Sequence, residues 1–353
     1  MARHGVVMAT APPLQLVLVG AGRVGRRLIA LLDELDGQLP FAWTLVGCCS
    51  PSRGGWFDAN GVAPGTLDAP PGGPVTSGAG IGYLAATLPR LAAPCRAGRV
   101  VVVETSGLDP ERGEPALSHV RAALDAGAHV VTANKGPAAF AWRALALLAR
   151  KVDRAFLCES AVMDGVPVFS LVADALPAAR VTAFRGVVNT TCGYILTALE
   201  RGEPFDAALA EMQRRGIAEA DPALDLDGWD AAAKAAALAN ALLDAGITPH
   251  DVVRRGIRDL EPDALTRGRA QGLRLRHVVR GARGAGAVIT TATPEWLAAD
   301  DPLAQVSGLE NALYLSTDPL GEIGIVQRDG GLTQTAYGLV ADLARVSRRL
   351  AGR

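Results

Sequence analysis

The hydrophobic pattern divides this chain into two halves of different character. Leu14 to Gly20, LQLVLVG, is an unbroken apolar run of strand length. The RRLIALLDEL that follows returns an apolar residue every three or four positions, so a buried parallel strand feeds a helix. Phe41 to Ser50 (FAWTLVGCCS) predicts a second strand, and the fourfold-valine GRVVVVETSG at 98–107 a third. The helical ALSHVRAALDAG leads to a further strand, AHVVTANKGP, ending at Asn134-Lys135-Gly136-Pro137. Such alternation specifies an α/β fold with a doubly wound, largely parallel sheet. Residues 51–80, rich in Gly, Pro and Ala, predict a loop with little regular structure. From Ala155 to Leu176 the pattern changes, and a strand, a small-residue turn and two helical stretches follow it. The domain boundary is expected just before Ala155.

Composition narrows the class. With 353 residues and 49% hydrophobic content the chain can bury two domains' worth of core. Its formal charge of −1 is mixed along the sequence, which excludes a basic nucleic-acid face or a polybasic membrane patch. No apolar run approaches the ~20 residues of a membrane span. The N-terminal MARHGVVMATAPP is too short in apolar length for a signal peptide. Cys48, Cys49, Cys95, Cys158 and Cys192 are odd in number and form no C-x-x-C pair, a usage that fits reduced core thiols in a cytoplasmic protein. The five histidines are too scattered for a zinc site.

Gly20, Gly22 and Gly25 form G-x-G-x-x-G between the first strand and its helix, with Arg23 and Val24 inside it. The first glycine permits the tight turn, the second the approach of a pyrophosphate, the third close helix–strand packing. In this context the motif predicts a dinucleotide cofactor. Thr105, Ser106 and Lys135 lie at carboxyl ends of strands, where such sheets bind ligands. The second strand ends in Cys48, Cys49 and Ser50 with no acid for a ribose hydroxyl, and Arg53 follows, which favours NADP over NAD. Arg53 reads equally well as a solvated loop residue.

Only Lys135, Lys151 and Lys234 among the 35 basic residues are lysine, so the chain uses arginine wherever plain positive charge suffices. A lysine here is a candidate for work that arginine, which keeps its proton, cannot do. Lys234 heads the uncharged AAALANALL behind Glu219, Asp221, Asp225, Asp227 and Asp230. Asp227 is a good helix N-cap, and Asp230 shares a face with Lys234 at i, i+4. The other neighbours on that face, Ala231, Ala237, Leu238 and Ala241, offer no charge, so Lys234 is expected to be partly buried and paired with Asp230. On physics alone the pair reads equally well as structural, and Glu219, Asp221 and Asp225 as turn residues.

Taken together, VLVGAGRVGRRL, HVVTANKGP, ESAVMDGVPV, NTTCGYIL, GIAEADPALDLDGWDAAAKAAALA, PLAQVSGLENALY and TQTAYGLVADL resemble homoserine dehydrogenase, in that family's order, over about residues 14 to 348. The resemblance implies NAD(P)-dependent, reversible hydride transfer between L-aspartate 4-semialdehyde and L-homoserine, in threonine and methionine biosynthesis. It implies a Rossmann-type dinucleotide domain at 1–154 completed by 325–353. A substrate and dimerisation domain of α+β type with a mixed sheet would occupy 155–324. By motif position Lys135 and Lys234 match the family's active-site lysines, and Glu219, Asp225 and Asp230 its substrate-side carboxylates. Glu159, with backbone carbonyls of Val162, Asp164 and Val166, matches a monovalent-cation site for sodium or potassium. A cytoplasmic homodimer acting on a small amino-acid substrate follows, monofunctional and without kinase or regulatory domains.

The sequence also departs from the family's pattern. Thr190 stands where a glycine is usual, Gly193 where an asparagine is, and Asp164 where a small residue is common. A glycine-rich segment near the C-terminus reads Val326-Gln327-Arg328-Asp329-Gly330-Gly331. These changes leave two alternatives: an oxidoreductase for a different amino-acid-derived aldehyde or alcohol, and a catalytically silent NADP-binding sensor of the same fold.

Overall fold

The structure, a computed structural model, describes residues 12–51, 54–62, 67, 80–218, 221–260 and 262–352. Its first sheet contains β1 (Leu14–Val19), β2 (Trp43–Ser50), β3 (Gly54–Val62), β4 (Val100–Glu104), β5 (His129–Thr132) and β6 (Phe156–Leu157), in the order β3-β2-β1-β4-β5-β6. All pairings are parallel except that of β3 with β2. Between the strands run α1 (Arg23–Glu34), α2 (Ile81–Thr87), α3 (Ala92–Arg96), α4 (Ala116–Asp125) and α5 (Gly136–Lys151), and α6 (Ser160–Met163) follows the last strand.

The continuous apolar run of β1 has a simple cause: both faces of the sheet are covered. Leu16 and Leu18 pack with Leu28 and Leu32 of α1, while Val17 and Val19 pack with Val120 and Leu124 of α4 and Leu145 of α5. Within 51–80 the expected loop is corrected by β3. Trp56 and Phe57, each 7% exposed, anchor this strand. The bare backbones of Gly47 and Gly55 let the Tyr83 ring lie against the face of both strands, and its hydroxyl donates to the Trp56 carbonyl at 2.7 Å. A glycine-rich composition concealed a strand whose glycines make room for one ring.

The second sheet orders its strands β12-β11-β7-β9-β10-β8. They are β7 (Arg180–Val187), β8 (Val253–Arg254), β9 (Leu273–Arg283), β10 (Val288–Ala298), β11 (Asn311–Asp318) and β12 (Gly321–Gln327). The sheet is antiparallel except for the pairing of β8 with β10. Its helices are α7 (Thr190–Glu200), α8 (Phe205–Arg214), α9 (Ala223–Leu226), α10 (Trp229–Leu243) and α11 (Pro262–Ala270).

Helix α10 is the hinge of the architecture. One side meets Phe184, Val279, Ala292 and Leu313 of the second sheet, and another meets Ala138 and Ala139 of α5. Its run of alanines lets both neighbours come close. The buried Asn240 side chain accepts from Ile247 N at 2.9 Å and donates to the carbonyls of Ile247, Ala138 and Ala139. After β12 the chain returns to the first half as α12 (Leu332–Ala351), whose Leu339 and Leu343 join Leu16, Leu28 and Leu32. The segment after β6 touches α12 backbone to backbone: a Cβ at Gly338 would lie 2.8 Å from the Asp164 carbonyl.

The closing helix is thus part of the first core, and its truncation should be felt there. Leu339→Ala, at a position with no exposed surface, is expected to cost about 2–5 kcal/mol. Differential scanning calorimetry should show a clear drop in melting temperature; an unchanged melt would mean that α12 is not integral to that core.

Candidate active site

The carboxyl end of the first sheet, and the starts of α1, α5, α7 and α10, converge on one region. Gly20 takes a left-handed φ of +97°, and a Cβ there would stand 2.7 Å from the Thr105 backbone. A Cβ at Gly25 would lie 2.5 Å from the Gly20 carbonyl, so both positions are closed to any side chain. At Gly22 a Cβ would meet nothing within 4 Å. Gly22 also caps α1 without a side-chain bond, and the first turn carries no acid. The leading amides of α1 therefore face open space with their positive dipole end uncompensated, a cradle suited to a pyrophosphate. Among the motif residues, Val24 packs against the core beneath and Arg23 reaches the Gly216 carbonyl at 2.6 Å.

The neighbouring strand end is pinned from below. Thr105 Oγ1 donates to the Gly20 carbonyl at 2.6 Å. The fully buried Glu104 accepts from Ser106 N at 3.1 Å, from the Ser106 hydroxyl and from Thr132 Oγ1 at 3.0 Å. Asn134 donates to the carbonyls of Ser106 and Gly107 at 2.9 and 2.8 Å and accepts from Gly136 N at 2.8 Å. That clasp fixes the residue between Asn134 and Gly136, which is Lys135 at the N-cap of α5.

Lys135 and Lys234 share one carboxylate. Lys135 Nζ lies 3.0 Å from Asp230 Oδ1, and Lys234 Nζ lies 3.1 Å from Asp230 Oδ2. Side-chain exposures of 21%, 14% and 13% for Lys135, Lys234 and Asp230 mean that the three charges depend on each other more than on water. Lys234 also donates to the Val188 carbonyl at 2.6 Å. Asn189, 2% exposed, bridges the carboxylates, donating to Asp225 at 2.7 Å and to Asp230 at 2.9 Å while its own oxygen caps α7 at Cys192 N.

Burial alone would raise the Asp230 pKa, but the two ammonium groups outweigh it and hold the carboxyl well below its usual range. For Lys135 burial opposes the charge, and the nearby Asp230 overcomes it, so its pKa rises above 10.5. Asp225 goes the other way. Burial, then the charge of Asp230, push its pKa up despite bonds from Asn189 and Thr191.

Other sequence expectations fare differently. Asp227 does not cap α10: Gly228 does, with a left-handed φ of +81°, and the Asp227 carboxylate instead accepts from Arg258 at 2.7 Å. The turn from α9 into α10 needs that conformation, which glycine adopts without cost. Glu219 and Arg53 lie outside the described residues. Glu159 Oε1 accepts from Val168 N and Phe169 N at 2.6 and 2.8 Å, and Oε2 from Ser170 N at 2.8 Å. Val162 lies in α6, and Asp164 and Val166 in the turn beyond it, closed by a bond from Val166 N to the Met163 carbonyl at 3.0 Å. No group of three or more His, Cys, Asp or Glu side chains among the described residues could hold a metal. Sequence reading missed Asn134 and Asn189. Each stands beside a singled-out residue, Lys135 and Thr190, but an asparagine's bridging partners cannot be read from its neighbours.

Comparison with known proteins gives a consistent answer. Residues 167–344 match the family model described as homoserine dehydrogenase. A protein of Pseudomonas canavaninivorans named NAD(+)-dependent homoserine dehydrogenase is 35% identical over 94% of this chain and 96% of its own. A homoserine dehydrogenase of Sulfurisphaera tokodaii is 36% identical over 70% of this chain and 77% of its own. In fold, the crystal structure of a homoserine dehydrogenase from Thermoplasma acidophilum superposes with a TM-score of 0.79, covering 96% of this chain and all of that one at 23% identity.

The carboxylates predict a distinctive pH response. A raised pKa means that ionised Asp225 opposes folding, a penalty absent in acid and present once pH exceeds the folded value. Asp225→Asn, whose amide oxygen still accepts from Asn189, should raise the melting temperature at pH 7 by about 2 °C or more. The gain should vanish below the ordinary value of 3.8. A melting series from pH 3 to 8 checks it; a gain that persists at the acid end would assign the effect to something other than charge.

Proposed function

We infer the reaction from one premise: the chain belongs to the homoserine dehydrogenase family. It is an NAD-dependent oxidoreductase that interconverts L-homoserine and L-aspartate 4-semialdehyde, a step of amino-acid biosynthesis. The observation that carries the site assignment is the single carboxylate of Asp230 gripping two ammonium groups at 3.0 and 3.1 Å.

We assign the cofactor phosphates to Gly20, Gly22 and Gly25 with Arg23 and Val24, and its nicotinamide end to Thr105, Ser106 and Lys135. The open cradle at Gly22 supports this. Bound there, NAD would supply the acceptor for the hydride of the alcohol carbon and, in its reduced form, the donor for the aldehyde. The protein's own part is to handle the proton and the charge. Lys234 has three N–H bonds; one goes to Val188 O and one to Asp230, which leaves a third for the substrate oxygen. In reduction that ammonium stabilises the developing alkoxide and gives it a proton; in oxidation the amine takes the hydroxyl proton. Lys135, kept charged by Asp230, supports the same oxygen from the other side. Asp225 and Glu219 receive the substrate ammonium, whose charge would offset the burial penalty that raises Asp225.

Three finer assignments belong to the same reading. NADP is accepted beside NAD, because β2 ends in Cys48-Cys49-Ser50 without an acid. Sodium or potassium sits at Glu159 with the carbonyls of Val162, Asp164 and Val166. In support, three amides leave one lone-pair direction of this buried carboxylate free, and no Lys, Arg or His among the described residues pairs with it. The chain forms a cytoplasmic homodimer through the face of the second sheet turned away from α10, where Ile289 and Val326 stand exposed. All five cysteines are buried and none forms a disulfide, and among the described residues no helix is long and apolar enough to cross a membrane.

Absorbance of reduced cofactor should rise when the protein meets L-homoserine with NAD⁺, and a parallel run with NADP⁺ measures the preference. Lys234→Arg should keep NAD affinity within about twofold while kcat falls by about 100-fold or more. Equal turnover by the two proteins would remove Lys234 from the reaction, and cofactor binding without any turnover would favour the sensor.

A further inference from the structure

Asp164 holds a backbone conformation, φ +51° and ψ −119°, that glycine adopts freely and other residues avoid. An aspartate in such a turn needs compensating bonds, and it has three. Its Oδ1 accepts from Thr335 Oγ1 at 2.8 Å, and its Oδ2 from Gly331 N and Gln327 Nε2, each at 3.1 Å. The amide of Gly331 opens the 20-residue α12, whose N-cap supplies no side-chain bond of its own, so Asp164 caps that helix from across the fold.

The chain of bonds continues toward the reaction centre. Gln327 Oε1 accepts from Asn311 Nδ2 at 3.1 Å, and the same amide donates to Thr190 Oγ1 at 3.0 Å. Gln327 and Asn311 are 6% and 2% exposed, so water competes little for these bonds. Thr190 begins α7 immediately after Asn189, which bridges Asp225 and Asp230. One continuous network thus unites Asp164, Gln327, Asn311 and Thr190.

We propose that Asp164 is a positioning residue for this reaction. Through Gln327, Asn311 and Thr190 it registers the start of α7, and with it the grip of Asn189 on the substrate-side carboxylates, against the closing helix α12. The proposal rests on the assignment of homoserine as substrate. A purely architectural Asp164 would serve only the turn, and Asp164→Gly would then relax the backbone at no cost to kinetics.

The test is a kinetic cycle with calorimetry alongside. Asp164→Gly should melt no lower than wild type and bind NAD within about twofold, yet its KM for L-homoserine should rise by about tenfold or more. Asp164→Asn and Gln327→Glu should each lower kcat/KM by about tenfold, the second by setting two carboxylates face to face. Combined, the new amide at 164 can donate to the new carboxylate at 327, so the double variant should recover part of the loss, the bond from Gly331 N staying broken. Unchanged kinetics in Asp164→Gly, or losses that multiply in the double variant, would overturn the proposal. Should Asp164→Gly fail to fold, the Asn/Glu cycle decides alone. A wild type inert toward homoserine overturns both readings together, whereas an active wild type with indifferent variants overturns this one only.

Discussion

The carboxylate of Asp230, held between two ammonium groups, is the interaction on which the rest depends. Its partners come from different parts of the fold. Lys135 caps the first helix after β5, Lys234 lies one turn along α10, and Asn189 starts α7. A buried charge that loses its partner is expensive, of the order of 3–5 kcal/mol, so these elements cannot drift apart separately. The cluster thereby sets the edge of the nucleotide half against the start of the second half's helices. The chemistry proposed for these residues and the registry of the halves then rest on one constraint.

That constraint can operate only because the surrounding packing brings the helices close. Helix α10 is alanine at nearly every position facing α5 and the second sheet, and its one buried amide, Asn240, satisfies carbonyls of α5 and of the segment after α10. Larger residues would push α5 away and stretch the 3.0 Å contact of Lys135. Small residues serve the same purpose elsewhere. Gly20 and Gly25 let strand ends and a helix touch, and Gly165 and Gly338 let the crossing segment lie against α12. Close backbone approach gives up side-chain burial at these points in return for positional accuracy.

Not every carboxylate in the region contributes to stability. Asp225 carries a raised pKa beside the strongly ionised Asp230, an opposed pair bridged by Asn189, as the proposed ammonium-binding role requires. Asp164 is likewise held in a strained turn by three bonds. Both residues spend folding free energy locally, Asp225 in the proposed substrate site and Asp164 at the start of the closing helix.

By itself the sequence determined what depends on near neighbours. The apolar runs of β1 and β4, the strand–turn–helix of Gly20 to Gly25, and the i, i+4 pairing of Asp230 with Lys234 were legible, because period and spacing act within a turn or a strand. So was the burial of Lys234, from the lack of charged company on its face. Lys135 was legible from its strand-end place and the scarcity of lysine, and family resemblance singled out Asp225, but neither showed their arrangement. Tertiary structure alone decided the rest. Lys135 joins Asp230 across 95 residues, Asn189 bridges two acids 36 and 41 positions away, and Asp164 reaches Gln327 over 163. The strand at Gly54–Val62 was hidden because its glycines make sense only against Tyr83, and Asp227 lost its cap to Gly228 because the α9–α10 turn needs a left-handed residue. In each case the determining partner is distant in the chain, and a side chain's protonation and geometry follow from what the fold sets beside it.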